Sequence, residues 1–243
     1  MPRFFTPTEN FDGDKVIITG DDAYHIARAL RMAVGDSVTV ADMQGREHSC
    51  RLTKIRDDVC ECEILSTAEG KTESPVEITL FMGYPKGDKL EVVIQKAVEL
   101  GVSRIVPFES SRCIKRPRQD KAEKQGARLS RIAEEAAKQC GRSRLSEVLP
   151  PVSYKAMLGM ATKAELSLFC YEGDGTESLK NVLSQKKAKS ISVVVGCEGG
   201  FSVEEATLAK ESGLISVNLG PRILRCETAP TYVLSCISYV YEL

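Results

Sequence analysis

Two short segments near the carboxyl end of the chain combine glycine with charged residues in a way that suits a ligand site. Residues 196–202 read Gly-Cys-Glu-Gly-Gly-Phe-Ser, and residues 219–230 read Leu-Gly-Pro-Arg-Ile-Leu-Arg-Cys-Glu-Thr-Ala-Pro. Each segment follows an apolar run and precedes a helical pattern. Glycine lets the backbone approach a ligand closely, and the free N–H groups at a helix start can face polar atoms. The two segments therefore predict a pocket built largely from main chain.

The charged side chains of the second segment permit two interpretations. Arg225 and Glu227 form a structural ion pair, or Arg225 holds a substrate phosphate or base while Glu227 orients it. A plain connection between a strand and a helix is short and polar, which this one is not. Neither glycine segment has the spacing of a phosphate-binding P-loop or of the Gly-x-Gly-x-x-Gly fingerprint, so a nicotinamide cofactor is disfavoured.

The elements that must position these segments alternate from residue 76 onward. Strands are predicted at 76–84, 104–108, 165–171, 190–196 and 214–219, and helices at 88–100, 119–140, 153–161, 176–183, 203–212 and from 230. Ser202 and Glu205 have the spacing of a capping box for the helix that starts at 203. This alternation predicts a parallel sheet with helices on both faces. Ligands bind beyond the carboxyl ends of such strands, where Gly196 and Gly220 fall.

The first seventy residues have a different pattern. Short strands are predicted at 16–18, 37–41, 50–55 and 59–65, with one helix from residue 21 or 22 to residue 31. Many short strands in so few residues predict a small β-barrel. A polar stretch at 68–75 reads as a linker, so we expect two domains, residues 1–72 and 73–243.

Composition narrows the class of protein. The chain has 243 residues, of which 42% are hydrophobic, and its apolar stretches fall short of the roughly 18 residues that span a bilayer. Without an apolar signal core at the start, we expect a cytoplasmic protein with no membrane contact.

Nine cysteines without a Cys-x-x-Cys pair predict reduced thiols. His25 and His48 lack a second ligand at metal spacing, so no metal site is expected.

Positive charge is concentrated in one stretch. The net charge is −1, but residues 112–144 hold eleven Lys and Arg against four Asp and Glu, a balance of +7. Residues 1–72 have a balance of −4, and residues 73–111 and 145–243 of −2 each. A focused basic patch attracts phosphates. For residues 121–138 a solvated helix face with i,i+4 partners is the alternative, whereas 112–118 and 142–144 lack such partners.

The combination of motifs resembles the RsmE family, the SPOUT-class methyltransferases that methylate N3 of a uridine in small-subunit (16S) ribosomal RNA with S-adenosylmethionine as donor. The two glycine segments in this order carry the resemblance most specifically. Supporting motifs are Arg3-Phe-Phe, residues 25–36, Lys86-Gly-Asp-Lys89, residues 95–102 and residues 134–142. One departure is Cys197, where the family usually has proline after the glycine.

The resemblance implies an α/β fold: a PUA-like β-barrel that binds RNA, then an α/β SPOUT domain with a C-terminal trefoil knot. It implies a homodimer formed through the knot and the last helix, residues 230–243. It places the cofactor against Tyr171, Gly196, Glu198, Gly199, Gly200, Leu219, Gly220, Ile223, Leu224, Arg225, Thr228 and Ala229. Candidate contacts to ribosomal RNA or the small subunit are Arg3, Arg28, Arg31, Arg112, Lys115, Arg116 and Arg142.

The implied chemistry suits the residue types of the second segment. Methyl transfer from a sulfonium is an in-line displacement that needs alignment more than an enzyme nucleophile. Uridine N3 lies on the Watson–Crick edge, so the base must be unpaired and must lose its proton. Arg225 would stabilise the anionic base, and Glu198 and Glu227 are candidates for the proton acceptor. The alternatives are a non-catalytic RNA-binding protein of ribosome assembly, or a related knotted methyltransferase acting on another RNA.

Overall fold

The computed structural model describes residues 1–114 and 122–243, which form two compact units. The first unit comprises Met1–Glu73 together with Ala137–Leu145, and the second comprises Ser74–Ala136 together with Ser146–Leu243. No sequence pattern indicated that residues 137–145 belong with the amino-terminal unit. None of the helices within the described residues is both long enough and apolar enough to cross a membrane.

The first unit is built on a six-stranded sheet, two strands more than the four predicted there. Its strands are β1 (Arg3–Phe5), β2 (Phe11–Asp12), β3 (Lys15–Thr19), β4 (Ser37–Ala41), β5 (Arg46–Ile55) and β6 (Val59–Glu69). The order across the sheet is β1-β4-β5-β6-β3-β2, which places β1 and β2 at the two edges. Val16 and Ile18 are buried while Ile17 between them is exposed, because alternate side chains of a strand point to opposite faces.

The helix predicted at residues 21–31 is shorter and less regular in the structure. An α-helix, α1, spans Gly20–Tyr24 and continues as one π-helical segment over His25–Ala29. The wider turn is marked by the Leu30 N–H donating to the carbonyl of His25. Arg31 then takes a left-handed conformation with φ of 51°, which no helix can continue.

The second unit is a parallel α/β sheet, which confirms the fold class predicted from the alternation of strands and helices. Its strands are β7 (Glu77–Gly83), β8 (Arg104–Glu109), β9 (Glu147–Val148), β10 (Val152–Ser153), β11 (Leu166–Cys170), β12 (Glu177–Ser178), β13 (Ser190–Val195) and β14 (Ile215–Asn218). The main path across the sheet is β10-β8-β7-β13-β11-β14-β12, and β9 pairs with β8. The strand pairs are parallel, so their carboxyl ends share one edge.

Helices follow the strands in the order that the periodicity predicted. They are α2 (Lys89–Glu99), α3 (Ala122–Cys140), α4 (Tyr154–Ala161), α5 (Leu179–Gln185), α6 (Val203–Glu211) and α7 (Thr228–Tyr241). The predicted capping box of α6 is confirmed, since the Glu205 N–H donates to the Ser202 hydroxyl and the Ser202 N–H donates to the Glu205 carboxylate. Helix α5 begins at Leu179 and not at residue 176, because Glu177 and Ser178 pair with β14 instead.

An aromatic cluster anchors the loop that follows β13. The ring of Phe201, which is 2% exposed, lies 4.3 Å from that of Phe169 on β11 and 6.2 Å from that of Phe108 on β8. Aromatic pairs at such distances stabilise a core beyond the area they bury. The glycine segment at 196–200 is therefore held between a strand end and a fixed aromatic side chain.

Candidate active site at the carboxyl edge of the parallel sheet

The two glycine segments meet in space at the carboxyl edge of the second unit. Strands β13, β11 and β14 are neighbours in the sheet, so the segments that follow them converge. They enclose a cavity of about 520 Å³, within the range of small-molecule sites. The predicted cofactor-binding residues that line it are Tyr171, Gly196, Glu198, Gly200, Leu219, Gly220, Ile223, Leu224, Arg225 and Ala229.

Tight backbone packing explains the glycines of the first segment. Gly200 has φ of 62°, and a Cβ there would lie 2.6 Å from Glu172 Oε1. A Cβ on Gly196 would lie 3.1 Å from both Gly200 Cα and Phe201 Cε2. A side chain at Gly200 would be strained by the positive φ, and a Cβ at Gly196 would require its close neighbours to shift slightly. Gly196 and Gly200 thus keep the turn narrow beside the cavity.

Gly199 is not among the residues that line the cavity. A Cβ on Gly199 would lie 2.9 Å from Arg112 Cβ, and the Arg112 guanidinium donates to the Gly199 carbonyl at 3.0 Å. A larger side chain at Gly199 would therefore displace Arg112 before it reached a ligand. A direct contact between Gly199 and the cofactor stays a prediction.

The second segment leads into the last helix through its own backbone. Gly220 has φ of 104°, a conformation that other residues rarely adopt. The Arg225 carbonyl accepts from the N–H groups of Thr228 and Ala229 at 2.9 and 3.0 Å, which starts α7 two residues earlier than the proline at 230 predicted. Thr228 is exposed and, unlike Ala229, does not line the cavity. Ile223 is 87% exposed and is free to contact a bound molecule.

An ion-pair cluster joins the two glycine segments at the cavity. Lys89 Nζ lies 3.2 Å from Glu198 Oε1 and 3.3 Å from Glu227 Oε2. The Lys86 N–H also donates to Glu198 at 3.1 Å. Glu227 is therefore paired with Lys89 and not with Arg225, so the structural ion pair considered for Arg225 is absent. The sequence reasoning did not assign Lys89 to the site, although its place at the first turn after β7 put it at the same sheet edge.

The cluster keeps all three groups charged. Burial opposes ionisation of Glu198, but its own N–H, the Lys86 N–H and Lys89 together hold the pKa of Glu198 below its ordinary value. The pKa of Glu227 is lowered by its own N–H, against some burial, with help from Cys226 and Lys89. Hydrogen bonds to Glu198 and Glu227 raise the pKa of Lys89. Two carboxylates and one ammonium thus face each other at neutral pH.

Arg225 projects into a different environment from the two carboxylates. Its side chain is exposed and lines the cavity, and it makes no ion pair with any residue in 1–114 or 122–243. Its charge is therefore available for a ligand, which suits the interpretation that it contacts an anionic base or phosphate.

Cys197, the departure noted in the first glycine segment, lies next to a second buried thiol. The Ser110 hydroxyl lies 3.2 Å from Cys113 Sγ and 3.9 Å from Cys197 Sγ. Hydrogen bonding from Cys197 lowers the pKa of Cys113 to about 6, against the effect of burial and with help from Ser110. The same contact, with burial, raises the pKa of Cys197.

We expect Cys197→Ala to raise the pKa of Cys113, because the thiolate loses a hydrogen-bond donor. The measurement is a pH titration of thiolate ultraviolet absorbance in the folded protein. Cys170→Ala is the control, since burial raises the pKa of Cys170 to about 12 and keeps it protonated throughout. A thiol that still ionises near pH 6 in Cys197→Ala would refute the pairing.

The predicted RNA contacts within the first unit are mostly engaged with protein groups. Arg3 pairs with Glu47 at 3.0 Å and donates to the Arg142 carbonyl. Arg28 donates to Asp57 at 2.9 Å on the surface. Arg31 is exposed. Lys115 and Arg116 lie outside the described residues.

Arg142, which was predicted to contact phosphate, is buried and paired with Glu73. It is 3% exposed, and its Nη2 lies 2.7 Å from Glu73 Oε2. A guanidinium buried against a carboxylate cannot reach a phosphate without breaking that pair. Among the remaining candidates in the described residues, Arg31 and Arg112 offer the most accessible charge.

The end of β7, beside the first glycine segment, holds a glycine that the sequence motifs did not assign to the site. A Cβ on Gly83, the last residue of β7, would lie 2.4 Å from Cys197 N and 2.9 Å from Gly196 C. The backbone of β7 thus touches the first glycine segment directly.

Within the described ranges, no group of three or more His, Cys, Asp or Glu residues could hold a metal ion.

Sheet, glycine turns and charged cavity together define an α/β protein with a ligand site at the carboxyl edge of its strands. Residues 72–238 match the RNA methyltransferase domain family, and residues 18–65 match the RNA methyltransferase PUA domain family. The chain is 35% identical to the ribosomal RNA small subunit methyltransferase E of Bacillus subtilis, over 100% of this chain and 98% of that protein.

Solved structures agree with these matches. The ribosomal RNA small subunit methyltransferase E of Neisseria gonorrhoeae, bound to S-adenosyl methionine, is 33% identical with a TM-score of 0.88, over 99% of this chain and 98% of that one. A Legionella pneumophila putative methyltransferase in complex with its cofactor SAM is 30% identical with a TM-score of 0.88, over 98% and 96%. The chain belongs to the RsmE family of ribosomal RNA small subunit methyltransferases.

Proposed function

We propose that this protein methylates N3 of a uridine in small-subunit ribosomal RNA, with S-adenosylmethionine as the donor. The cavity formed by the two glycine segments supports the proposal most directly. The chain also aligns over 99% of its length with a relative bound to S-adenosyl methionine. The name of the Bacillus subtilis relative supports ribosomal RNA as the substrate. The choice of N3 rests on the resemblance of the motifs.

The residues at the cavity fit the cofactor. Two narrow turns present main-chain groups on either side of about 520 Å³, and Leu219, Leu224 and Ala229 add apolar surface. A nucleoside with a charged side chain needs both kinds of contact. When bound, S-adenosylmethionine supplies an activated methyl group. We assign its binding to the lining residues of the two segments other than Arg225, with Gly199 positioning Arg112.

Arg225 is the residue we assign to the acceptor base. Uridine N3 becomes nucleophilic only after it loses its proton, and a fixed cation near the base oxygens stabilises the resulting anion. Glu198 and Glu227 have lowered pKa values, and a general base works best when its pKa is near the working pH. The electrostatics therefore favour Arg225 as the catalytic residue and make the two carboxylates weak proton acceptors.

We propose that residues 219–229 form part of a trefoil knot and that the protein works as a homodimer in the cytoplasm. Helix α7 carries exposed apolar side chains, among them Tyr239 at 72% and Val240 at 48% exposure. An exposed apolar stripe on a terminal helix suits a subunit interface. Exposed cations such as Arg31 and Arg112 would then meet the RNA backbone.

We expect Arg225→Ala to lower kcat about 10²- to 10³-fold, the usual effect of removing one oxyanion-stabilising group. Methylation of small-subunit RNA is followed by nucleoside mass spectrometry, and cofactor affinity by calorimetry. Affinity for S-adenosylmethionine should change little. Lys187→Ala, at an exposed site before β13 and thus at the opposite edge of the sheet, is the matched control.

A deletion strain separates the proposal from the alternative of a non-catalytic assembly protein. Loss of one N3-methyluridine from small-subunit RNA supports the enzyme. Persistence of that nucleoside, with defective particle assembly, would favour the binding role. A missing methyl group on another RNA would favour the related methyltransferase.

A further inference from the structure

We propose that Lys89 is a positioning residue of the transfer reaction, whose ammonium group fixes Glu198 and Glu227 and thereby sets where Arg225 stands. The inference rests on the proposed function and adds a residue to its site. Lys89 belongs to neither glycine segment, since it is the first residue of α2.

The geometry makes Lys89 the common point of three separate pieces of chain. Its Nζ lies 3.2 Å from Glu198 in the segment after β13 and 3.3 Å from Glu227 in the segment after β14. Within the described residues, no hydrogen bond joins the side chains of one glycine segment to those of the other. One ammonium group therefore connects both walls of the cavity to the start of α2.

The charges around Lys89 explain why it is needed. The groups that face it are Glu198, Glu227 and the Cys226 thiol, whose sulfur lies 3.8 Å from Nζ. Burial raises the pKa of Cys226 to about 12, so the thiol stays neutral and donates to Glu227 at 3.2 Å. Without the ammonium, two like charges would remain at one edge of the cavity and would repel each other.

The position of Arg225 follows from that of Glu227. Arg225 lies two residues before Glu227 in the same turn, and its carbonyl accepts the first bonds of α7. Movement of Glu227 would shift this turn, and a shift of about 1 Å in a catalytic group can lower the rate about 100-fold. The three side chains are 25–34% exposed, so the ion pairs add little to folding stability. Activity and stability should therefore respond differently to loss of Lys89.

The test compares Lys89→Met, Lys89→Arg and Lys96→Met in the full-length protein. Lys96 is a matched control because it lies on the same helix and pairs at 2.9 Å with Glu99, away from the cavity. We expect Lys89→Met to lower kcat about 100-fold, with a small change in KM for RNA and in melting temperature. Lys89→Arg should recover most of the rate, and Lys96→Met should match the wild type.

The pH profile and a double variant separate positioning from a general structural effect. Protonation of Glu198 or Glu227 would break its pair with Lys89, so the wild-type rate should fall at acidic pH as these carboxyls protonate, and Lys89→Met, which has already lost both pairs, should lack this fall. Lys89→Met combined with Glu227→Gln should be no slower than the slower single variant, because both changes break one interaction.

The possible outcomes distinguish failure of the role of Lys89 from failure of the proposed function. If the wild type is active and Lys89→Met has the same rate and the same pH profile as the wild type, the inference is overturned and the proposed function stands. Additive losses in the double variant would overturn it as well. A wild type that methylates no small-subunit RNA would overturn the proposed function itself.

Discussion

Gly83→Ala is expected to weaken S-adenosylmethionine binding about ten- to hundredfold, although Gly83 does not line the cavity. The added Cβ would lie 2.4 Å from Cys197 N and 2.9 Å from Gly196 C. Both neighbours are backbone atoms, so no side chain can rotate away. Overpacking of this kind costs about 1–3 kcal/mol, and each 1.4 kcal/mol of binding free energy is about a factor of ten. The strain must move either the end of β7 or the first glycine segment.

The measurements are calorimetric affinity for S-adenosylmethionine and thermal unfolding of the same sample. Gly159→Ala is the matched control, because Gly159 lies within α4 and no atom stands within 4 Å of its added Cβ. Alanine is the better helix former by about 1 kcal/mol, so this control should keep full affinity and a slightly higher melting temperature. Wild-type affinity and stability in Gly83→Ala would contradict the close approach of the two backbones.

Arg142→Ala is expected to destabilise the first unit by about 3–5 kcal/mol, the usual cost of removing one partner of a buried ion pair. Arg142 Nη2 and Nε lie 2.7 and 3.2 Å from Glu73 Oε2. The N–H groups of Ser143 and Arg144 donate to Glu73 Oε1 at 2.9 and 3.0 Å. Loss of the guanidinium leaves the Glu73 carboxylate largely buried without its cation.

The measurement is urea unfolding of the wild type and the variant. Arg51→Ala is the control, because Arg51 and Glu63 lie 3.9 Å apart with half-exposed side chains, and such surface pairs contribute about 0–1 kcal/mol. A stable Arg142→Ala protein with weaker RNA binding and a smaller salt dependence would restore Arg142 as a phosphate contact and refute the structural role.

The ion pair between Arg142 and Glu73 also predicts that the free energy of unfolding depends on pH. Burial raises the pKa of Glu73, but Arg142 and the N–H groups of Arg144 and Ser143 outweigh it, so the net pKa lies below the ordinary value of 4.5. A lowered carboxyl pKa contributes stability above the unfolded value and loses it as the pH falls through the folded value. The wild type should therefore lose more stability than Arg142→Ala when the pH drops below about 4.5.

Local patterns were sufficient for the architecture of the second unit. The apolar runs at 190–196 and 165–171 predicted parallel strands, and the Ser202 and Glu205 spacing predicted the start of α6. The resemblance of the two glycine segments then identified the family, which the matches over residues 18–65 and 72–238 confirm. Such features are readable because side-chain periodicity and helix capping act over a few residues.

The order of strands decided what periodicity could not. Only the neighbourhood of β7, β13, β11 and β14 brings Lys89 between Glu198 and Glu227 and sets Gly83 against Cys197. Burial likewise turned Arg142 from an apparent phosphate contact into the partner of Glu73, because a charge count along the chain does not show which charges pair. The residue types needed for the chemistry are present in the two glycine segments, whereas contacts between residues 69 or more positions apart depend on how the chain folds back on itself.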